Sequence, residues 1–308
     1  MTGFIVVDKE QGASSAQEVN RIKRLLNTPC GHMGTLDPMA TGVLPVAIGN
    51  AARLFDFFLD KRKTYVADFC FGVESDTLDT TGEMRLNAGY VPSKQQIEAE
   101  LYKFEGEVEQ LPPKFSAKNI NGKRGYQLAR EGIEFQLKAK KVNIYSIVLI
   151  NQTEEDTFRF KIECGGGTYI RSIARDLGAG LGTCAVMSAL VRTASGVFSL
   201  ESSVKTRSLT TDNIQNFIIP TESVLPYEAI VPTPQQAKKL FNGLSVPCDK
   251  ADGVYKIYSA DGSFYGLAEV SQSVLKVGKK LCEKSLITMK ANTSFHACLF
   301  WAALTVCI

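Results

Sequence analysis

The amino-acid sequence predicts an α+β protein with two domains. Segments with strand and helix patterns are both present, but they do not follow the regular strand–helix–strand order of a doubly wound sheet. With 308 residues, of which 44% are hydrophobic and 22% charged, the chain can bury a substantial core. Between 219 and 234 prolines become frequent, which marks a candidate linker between the domains.

Local patterns predict the individual elements. Apolar residues at helical spacing follow the serines at 14 and 15 and predict a capped helix through Leu26. Ser93 and Gln96 have the spacing of a capping box before a second helix. Ile170 to Leu177 predicts a third helix, which carries Arg171 and Arg175 on its other side. Strand patterns occur at 4–7, 46–48, 65–71, 142–150, 157–164, 254–258 and 264–270, the last two as a hairpin, and the Gly- and Pro-rich stretch 31–45 predicts a loop.

Positive charge is concentrated in one segment. The whole chain has a net charge of +3 and a pI of about 8.3, which alone does not indicate a nucleic-acid-binding protein. Between 113 and 141, however, eight Lys and Arg residues stand against two Glu residues. Such a segment suits a phosphate backbone, and it is equally compatible with a solvated loop and helix face.

The sequence also argues against several classes of site. The eight cysteines show no C-x-x-C spacing and there are two histidines, so we expect no metal, and no motif indicates a cofactor. The N-terminus lacks a signal-peptide pattern, which favours reduced thiols in a cytoplasmic protein. No run reaches the roughly 18 apolar residues of a membrane span. Within the atypical apolar tail 291–308, the apolar run 297–308 is too short for one.

The most informative stretch surrounds Asp37. It reads Gly-His-Met-Gly-Thr-Leu-Asp-Pro-Met-Ala-Thr-Gly-Val-Leu-Pro from Gly31 to Pro45. Pro38 pushes Asp37 towards an extended conformation, and such a loop can present a carboxylate to a cleft. An isolated Asp-Pro is more typical of a simple turn. A hydrolase that pairs Asp37 with His32 is a further reading, but it would need a second carboxylate or a metal ligand, and the motif offers neither.

This string closely resembles the catalytic signature of the TruB family, the tRNA pseudouridine-55 synthases. The resemblance implies a mixed, largely antiparallel pseudouridine synthase sheet flanked by helices, and a small β-barrel-like PUA domain. The implied domains are 1–228 for catalysis, with an RNA-gripping insertion at about 106–141, then 229–290, then the atypical tail. Further matching motifs are Val7-Asp8-Lys9, Lys63-Thr64-Tyr65, Leu111-Pro112-Pro113 through Gly132, Gly167 to Ser172, and Leu190-Val191-Arg192.

The resemblance also implies roles for single residues. Asp37 would be the catalytic carboxylate, Arg171 its ionic partner, and Tyr65 the ring that stacks on the target uracil. The implied partner is tRNA, bound through its T-loop and acceptor stem. Because no segment of the sequence indicates a dedicated oligomer interface, we expect a monomer. A non-catalytic tRNA-binding or RNA-folding protein on the same scaffold is the alternative. Two departures from the family pattern are Glu10 in place of a proline and Val191 in place of an arginine. The implied substrate contacts are His32, Lys9, Leu190, Lys118 and Lys123.

Overall fold

The computed structural model describes residues 1–59, 61–86, 89–116, 119–120, 122–259 and 261–281. The chain divides into two compact units, Met1–Glu228 and a second unit that begins at Ala229. The predicted tail 291–308 and the end of the predicted domain 229–290 lie outside the described residues, as does Lys118. None of the helices in the described ranges has the length and apolar character that crossing a membrane requires.

The first unit is built on one large sheet. The strands described in this unit are β1 Gly3–Lys9, β2 Cys30–His32, β3 Thr41–Ile48, β4 Lys63–Phe71, β5 Glu74–Ser75, β6 Met84–Arg85, β7 Gly106–Gln110, β8 Asn119–Ile120, β9 Lys123–Arg124, β10 Lys140–Gln152, β11 Thr157–Cys164, β12 Ala185–Ser195, β13 Phe198–Ser199 and β14 Ile219–Pro220.

The large sheet is mixed and largely antiparallel. Its order is β14-β1-β3-β12-β4-β11-β10-β7, with β2 added to β3 and β13 added to β12. Only the short β3–β12 pairing is parallel among the pairings described. This pairing joins the strand that follows Asp37 to β12, which in turn pairs with β4, so a single strand separates β3 from β4. Two small hairpins, β5–β6 and β8–β9, lie outside the sheet.

Helices flank the sheet, and their starts follow the sequence signals. The Ser14 side chain accepts a hydrogen bond from Gln17 N–H to cap the first helix, and Ser93 and Gln96 form the predicted capping box of the third. The predicted helix after Gly167 is also confirmed, and it places Ile173, Ala174 and Leu177 in the core. The helices of this unit are α1 Ser15–Leu26, α2 Phe55–Leu59, α3 Lys94–Leu101, α4 Gly125–Arg130 and α5 Ile170–Gly180.

Two local predictions are corrected by the structure. The stretch 31–45, predicted as loop, contains most of β2 and most of β3. Pro45 is tolerated in β3 although it has no N–H to donate. Its carbonyl accepts from Met33 N–H, so its nitrogen faces the same side, where the pairing with β2 has ended. The stretch 106–141, predicted as an insertion, starts and ends with strands of the large sheet, so the part outside the sheet is 111–139.

The second unit is a small sheet with one helix. The predicted hairpin is confirmed as an antiparallel strand pair, and it lies at the centre of this sheet. Leu240, Ile257 and Tyr265 are among its core residues, and Phe241 stacks on Tyr265 with the ring centres 3.8 Å apart. The elements are β15 Ala229–Ile230, α6 Pro234–Phe241, β16 Val246–Pro247, β17 Gly253–Tyr258, β18 Phe264–Ser271 and β19 Val274–Lys280, and the strand order is β15-β17-β18-β19-β16.

Candidate active site

The loop between β2 and β3 carries Asp37 and is fixed on both sides of it. The buried Ser15 hydroxyl, at the start of α1, donates to Leu36 C=O and accepts from Leu36 N–H, both at 2.9 Å. Gly12 N–H donates to Pro38 C=O at 2.8 Å. These contacts anchor the residues before and after Asp37, so the carboxylate has little freedom to leave its position.

Lys9 holds the same loop from behind. Its side chain is fully buried, and its ammonium donates to the carbonyl oxygens of Glu10, Pro38 and Ala40. Burial lowers the pKa of Lys9 to about 8, although Glu18 and Asp37 oppose the shift. The structure therefore places Lys9 under the loop that carries Asp37, whereas the sequence predicted a substrate contact for it.

Arg171 reaches Asp37 from the first turn of α5. Its Nη2 lies 3.0 Å from Asp37 Oδ2; the Arg171 side chain is 6% exposed and that of Asp37 37% exposed. Partial burial in the cleft raises the pKa of Asp37 above its ordinary value, while the Arg171 charge and its hydrogen bond work against that shift. The predicted ionic partner of Asp37 is thus the residue in contact with it.

A second carboxylate, which the sequence reasoning missed, lies on the other side of the guanidinium. Asp79 Oδ2 is 3.4 Å from Arg171 Nη1, and its side chain is 5% exposed. Its other oxygen accepts from Thr77 Oγ1, Thr81 Oγ1 and Thr81 N–H. Arg171 also donates to the main-chain carbonyls of Thr77 and Phe115. The threonines around Asp79 were the available signal, since hydroxyls and turns of this kind hold carboxylates.

Tyr65 and Leu190 lie on adjacent strands of the sheet and line the same cleft as Asp37, with a volume of about 440 Å³. Burial raises the pKa of the Tyr65 hydroxyl, and the positive charge of Arg192 opposes the rise. Arg192, on β12, is 1% exposed and also donates to Val43 C=O and Gly34 C=O. The sequence identified Tyr65 and Leu190, but it gave Arg192 no role.

His32 and Lys123, the remaining predicted residues in the described part of the chain, lie in different places. His32, on β2, lines the cleft, and burial and the nearby Arg192 charge lower its pKa. Lys123 lies on β9 in the 111–139 insertion. Two lysines that were not predicted, Lys63 and Lys140, also line the cleft. No cluster of three or more His, Cys, Asp and Glu side chains suited to a metal occurs within the described part of the chain.

The fold is that of a pseudouridine synthase. The solved chain described as "Crystal Structure of a Cbf5-Nop10-Gar1 Complex" superposes with a TM-score of 0.67 at 26% identity, over 92% of this chain and 86% of that one. The family profile "TruB family pseudouridylate synthase (N terminal domain)" matches residues 23–170. The profile "tRNA pseudouridylate synthase B C-terminal domain" matches residues 171–230.

Curated relatives agree with these matches. A tRNA pseudouridine synthase B of Clostridium kluyveri is 36% identical over 275 residues, which is 87% of this chain and 95% of the relative. The enzyme of the same name from Caulobacter vibrioides is 37% identical over 254 residues, which is 80% of this chain and 81% of the relative. The chain belongs to the TruB family of pseudouridylate synthases.

Proposed function

We propose that the protein converts one uridine in the T-loop of tRNA, at position 55, to pseudouridine, with Asp37 as its catalytic carboxylate. The observation that carries the proposal is the contact between Asp37 and Arg171 in a cleft that also presents Tyr65 and Leu190. The curated relatives, which are named tRNA pseudouridine synthases, support the choice of tRNA as the substrate.

The reaction needs an ionised carboxylate beside the ribose and the base. The C1′–N1 bond breaks, the uracil turns, and C1′ bonds to C5. Asp37 can act either by adding to uracil C6 or by promoting loss of uracil from the ribose, and both routes use the anion. Because partial burial favours the protonated acid, the neighbouring Arg171 charge is what keeps an anionic Asp37 accessible near neutral pH.

Tyr65 and Leu190 form the sides of the proposed uracil pocket. Tyr65 would stack on the base and Leu190 would contact its other face or edge. The raised pKa of Tyr65 keeps its hydroxyl protonated at neutral pH, so the resting enzyme presents a hydrogen-bond donor there. To accept the C5 proton, Tyr65 would first have to release its own proton to solvent, and the nearby Arg192 charge favours the resulting phenolate.

Access to the uracil requires the nucleotide to leave the T-loop stack, at a cost of a few kcal/mol. We assign His32, at the cleft wall, to contacts with the bases left behind. We assign the basic 111–139 insertion, with Lys118 and Lys123, to the RNA backbone. Lys9 is assigned to the support of the catalytic loop, because its ammonium already donates to three carbonyls.

The second unit is proposed to be a PUA-like RNA-binding domain that holds the acceptor stem. Its support is the small five-stranded sheet from Ala229 onward. On this proposal residues 1–228 form the catalytic domain and 229–290 the RNA-binding domain of a monomeric enzyme that works in the cytoplasm.

The deciding experiment measures tritium release from tRNA labelled at uracil C5. Wild-type protein is expected to release tritium from a T-loop substrate, and Asp37→Asn is expected to lose release while it still binds tRNA. Asp212→Asn, an exposed position of the same unit, is the matched control and should behave as wild type. Tight tRNA binding without release by wild type would instead support the non-catalytic alternative.

A further inference from the structure

Gln110 connects the start of the 111–139 insertion to the helix that carries Arg171. It is the last residue of β7 and is 3% exposed. Its Oε1 accepts from Tyr169 N–H at 2.8 Å, and its Nε2 donates to Tyr169 C=O at 3.1 Å. One side-chain amide therefore bonds to both main-chain groups of Tyr169, whose carbonyl also accepts from Ser172 N–H and Ile173 N–H within the helix.

Tyr169 is the residue from which α5 begins. Its side chain makes no capping hydrogen bond, and Arg171 follows two positions later. The Gln110 bonds reach the helix start from outside the helix, whereas the bonds from Ser172 N–H and Ile173 N–H to Tyr169 C=O lie within it. The two bonds from the rigid, planar Gln110 amide fix both the position and the direction of the backbone at this point.

Further contacts extend this connection along the insertion. Ser172 Oγ and Arg175 Nη2 both donate to Leu111 C=O, at 2.9 and 3.0 Å. Arg171 Nη2 donates to Phe115 C=O at 3.0 Å, and the same nitrogen lies 3.0 Å from Asp37 Oδ2. The segment 110–115 is thereby hydrogen-bonded to the first turns of α5. Arg171 Nη2, the atom that contacts Asp37, makes one of these hydrogen bonds.

We propose that Gln110 is a positioning residue: its amide aligns the start of α5, and with it Arg171, against the root of the insertion, so that Arg171 meets Asp37 in the active geometry. The proposal rests on the proposed function, because its effect is read in the isomerisation rate. A displacement of about 1 Å at a reacting group can cost on the order of 100-fold in rate. The loss of Gln110 is therefore expected to affect turnover more than tRNA binding.

Gln110→Met tests this directly, since methionine fills a similar volume without donor or acceptor. We expect the single-turnover rate of tritium release at saturating tRNA to fall on the order of 10- to 100-fold, with the tRNA Kd changed by less than about twofold. The control is Glu107→Gln on the same strand, which removes the exposed 2.7 Å ion pair with Lys141 and should leave the rate unchanged. A Gln110→Met rate within twofold of wild type, or a loss confined to Kd, overturns the proposal.

Gln110→Glu provides a test that does not depend on the folding of the methionine variant. A protonated carboxyl group has one donor and one acceptor, as the amide does, whereas the ionised form only accepts and would face Tyr169 C=O. Burial raises the pKa of such a carboxyl above its ordinary value near ~4.3. The rate relative to wild type is therefore expected to be highest at low pH and to fall as the pH rises.

A relative rate for Gln110→Glu that equals the Gln110→Met value at every pH overturns the proposal, since hydrogen bonding would then not matter. Thermal unfolding of each variant, measured under the same conditions, identifies any loss that only reflects a less stable fold. Wild-type protein in the same assay separates the two levels of inference. If wild type releases no tritium the proposed function fails, whereas an active wild type and an equally active Gln110→Met remove only the role of Gln110.

Discussion

Arg171 lies between two carboxylates that have different surroundings. Asp37 faces the cleft, whereas Asp79 is buried and accepts hydrogen bonds from two threonine residues. The arginine lowers the pKa of Asp37 and the Asp79 charge raises it. Asp79 therefore has two opposing effects. It orients the Arg171 guanidinium, and its negative charge makes ionisation of Asp37 harder.

Asp79→Asn separates these two effects. On the proposed function Asp37 acts as the anion, so activity is expected above its pKa and is expected to be lost as the pH falls through that raised value. Without the Asp79 charge the pKa of Asp37 decreases, and the acid limb of the kcat/KM profile is expected to move to lower pH. The plateau kcat is expected to fall on the order of tenfold, because Arg171 loses its second ionic contact. Tritium release measured across pH gives both quantities.

The control for this variant is Asp76→Asn, an exposed position in the same turn whose carboxylate accepts from Glu83 N–H. It should leave both the acid limb and the plateau unchanged. An acid limb that stays in place or moves to higher pH in Asp79→Asn would contradict the electrostatic account.

Sequence patterns could predict the residues of the site that belong to a contiguous motif, and these are Asp37, Tyr65 and Arg171. Asp79 and Gln110 could not be found in this way. Neither belongs to such a motif, and each is defined by a partner that only the fold brings near: Arg171 for Asp79, Tyr169 for Gln110. Lys9 was found, but its burial under the loop could not be predicted from its position in the motif.

At the scale of elements, the sequence predicted those whose signal is local. Capping boxes and alternating strands such as β4 are encoded within a few residues. β12 was not predicted, since it carries Arg192 in its interior and its paired neighbours β3 and β4 are distant in the sequence. Glu10, which replaces the family's proline, lies 3.3 Å from Lys205 and 3.2 Å from Arg207, so ion pairs connect that loop to the chain after β13.

The burial of Lys9 under the Asp37 loop should affect how the free energy of unfolding depends on pH. Its pKa is about 8 in the folded state and about 10.5 in the unfolded chain, so the unfolded state binds more protons between these values. The Lys9 contribution therefore makes the free energy of unfolding rise as the pH increases from about 8 to 10.5, by roughly 3 kcal/mol.

Urea unfolding of wild type and Lys9→Met across this range measures that contribution as a difference, because other groups titrate in both proteins. We expect the wild-type value to rise relative to the variant as the pH increases. A stability difference between wild type and Lys9→Met that does not change with pH would show that folding does not lower the pKa of Lys9.

At the scale of the whole molecule, the positive charge is unevenly divided. Residues 229–281 contain seven lysines against four acidic residues, a net charge of +3, which equals the net charge of the whole chain. The first unit has its own basic segment in the 111–139 insertion. Both units thus present local positive charge in a chain whose total charge is small, as expected for an enzyme that contacts RNA at two places.

Neutralising lysines of the second unit tests whether it contacts the phosphate backbone. Lys238 and Lys239 are exposed in the last turn of α6. They are suited to this test because neither forms an ion pair within the described residues, and their replacement leaves the core residue Leu240 in place. For Lys238→Gln/Lys239→Gln we expect the plot of log tRNA affinity against log salt to become shallower by up to about 2, since each phosphate contact contributes roughly 0.7 to 0.9. KM should rise several-fold while kcat stays the same, because the catalytic cleft is unchanged.

The control is Lys94→Gln, which removes the exposed Lys94–Glu98 pair on α3 and should keep the wild-type slope. Equal slopes for wild type, the double variant and this control would exclude α6 from the RNA-binding surface.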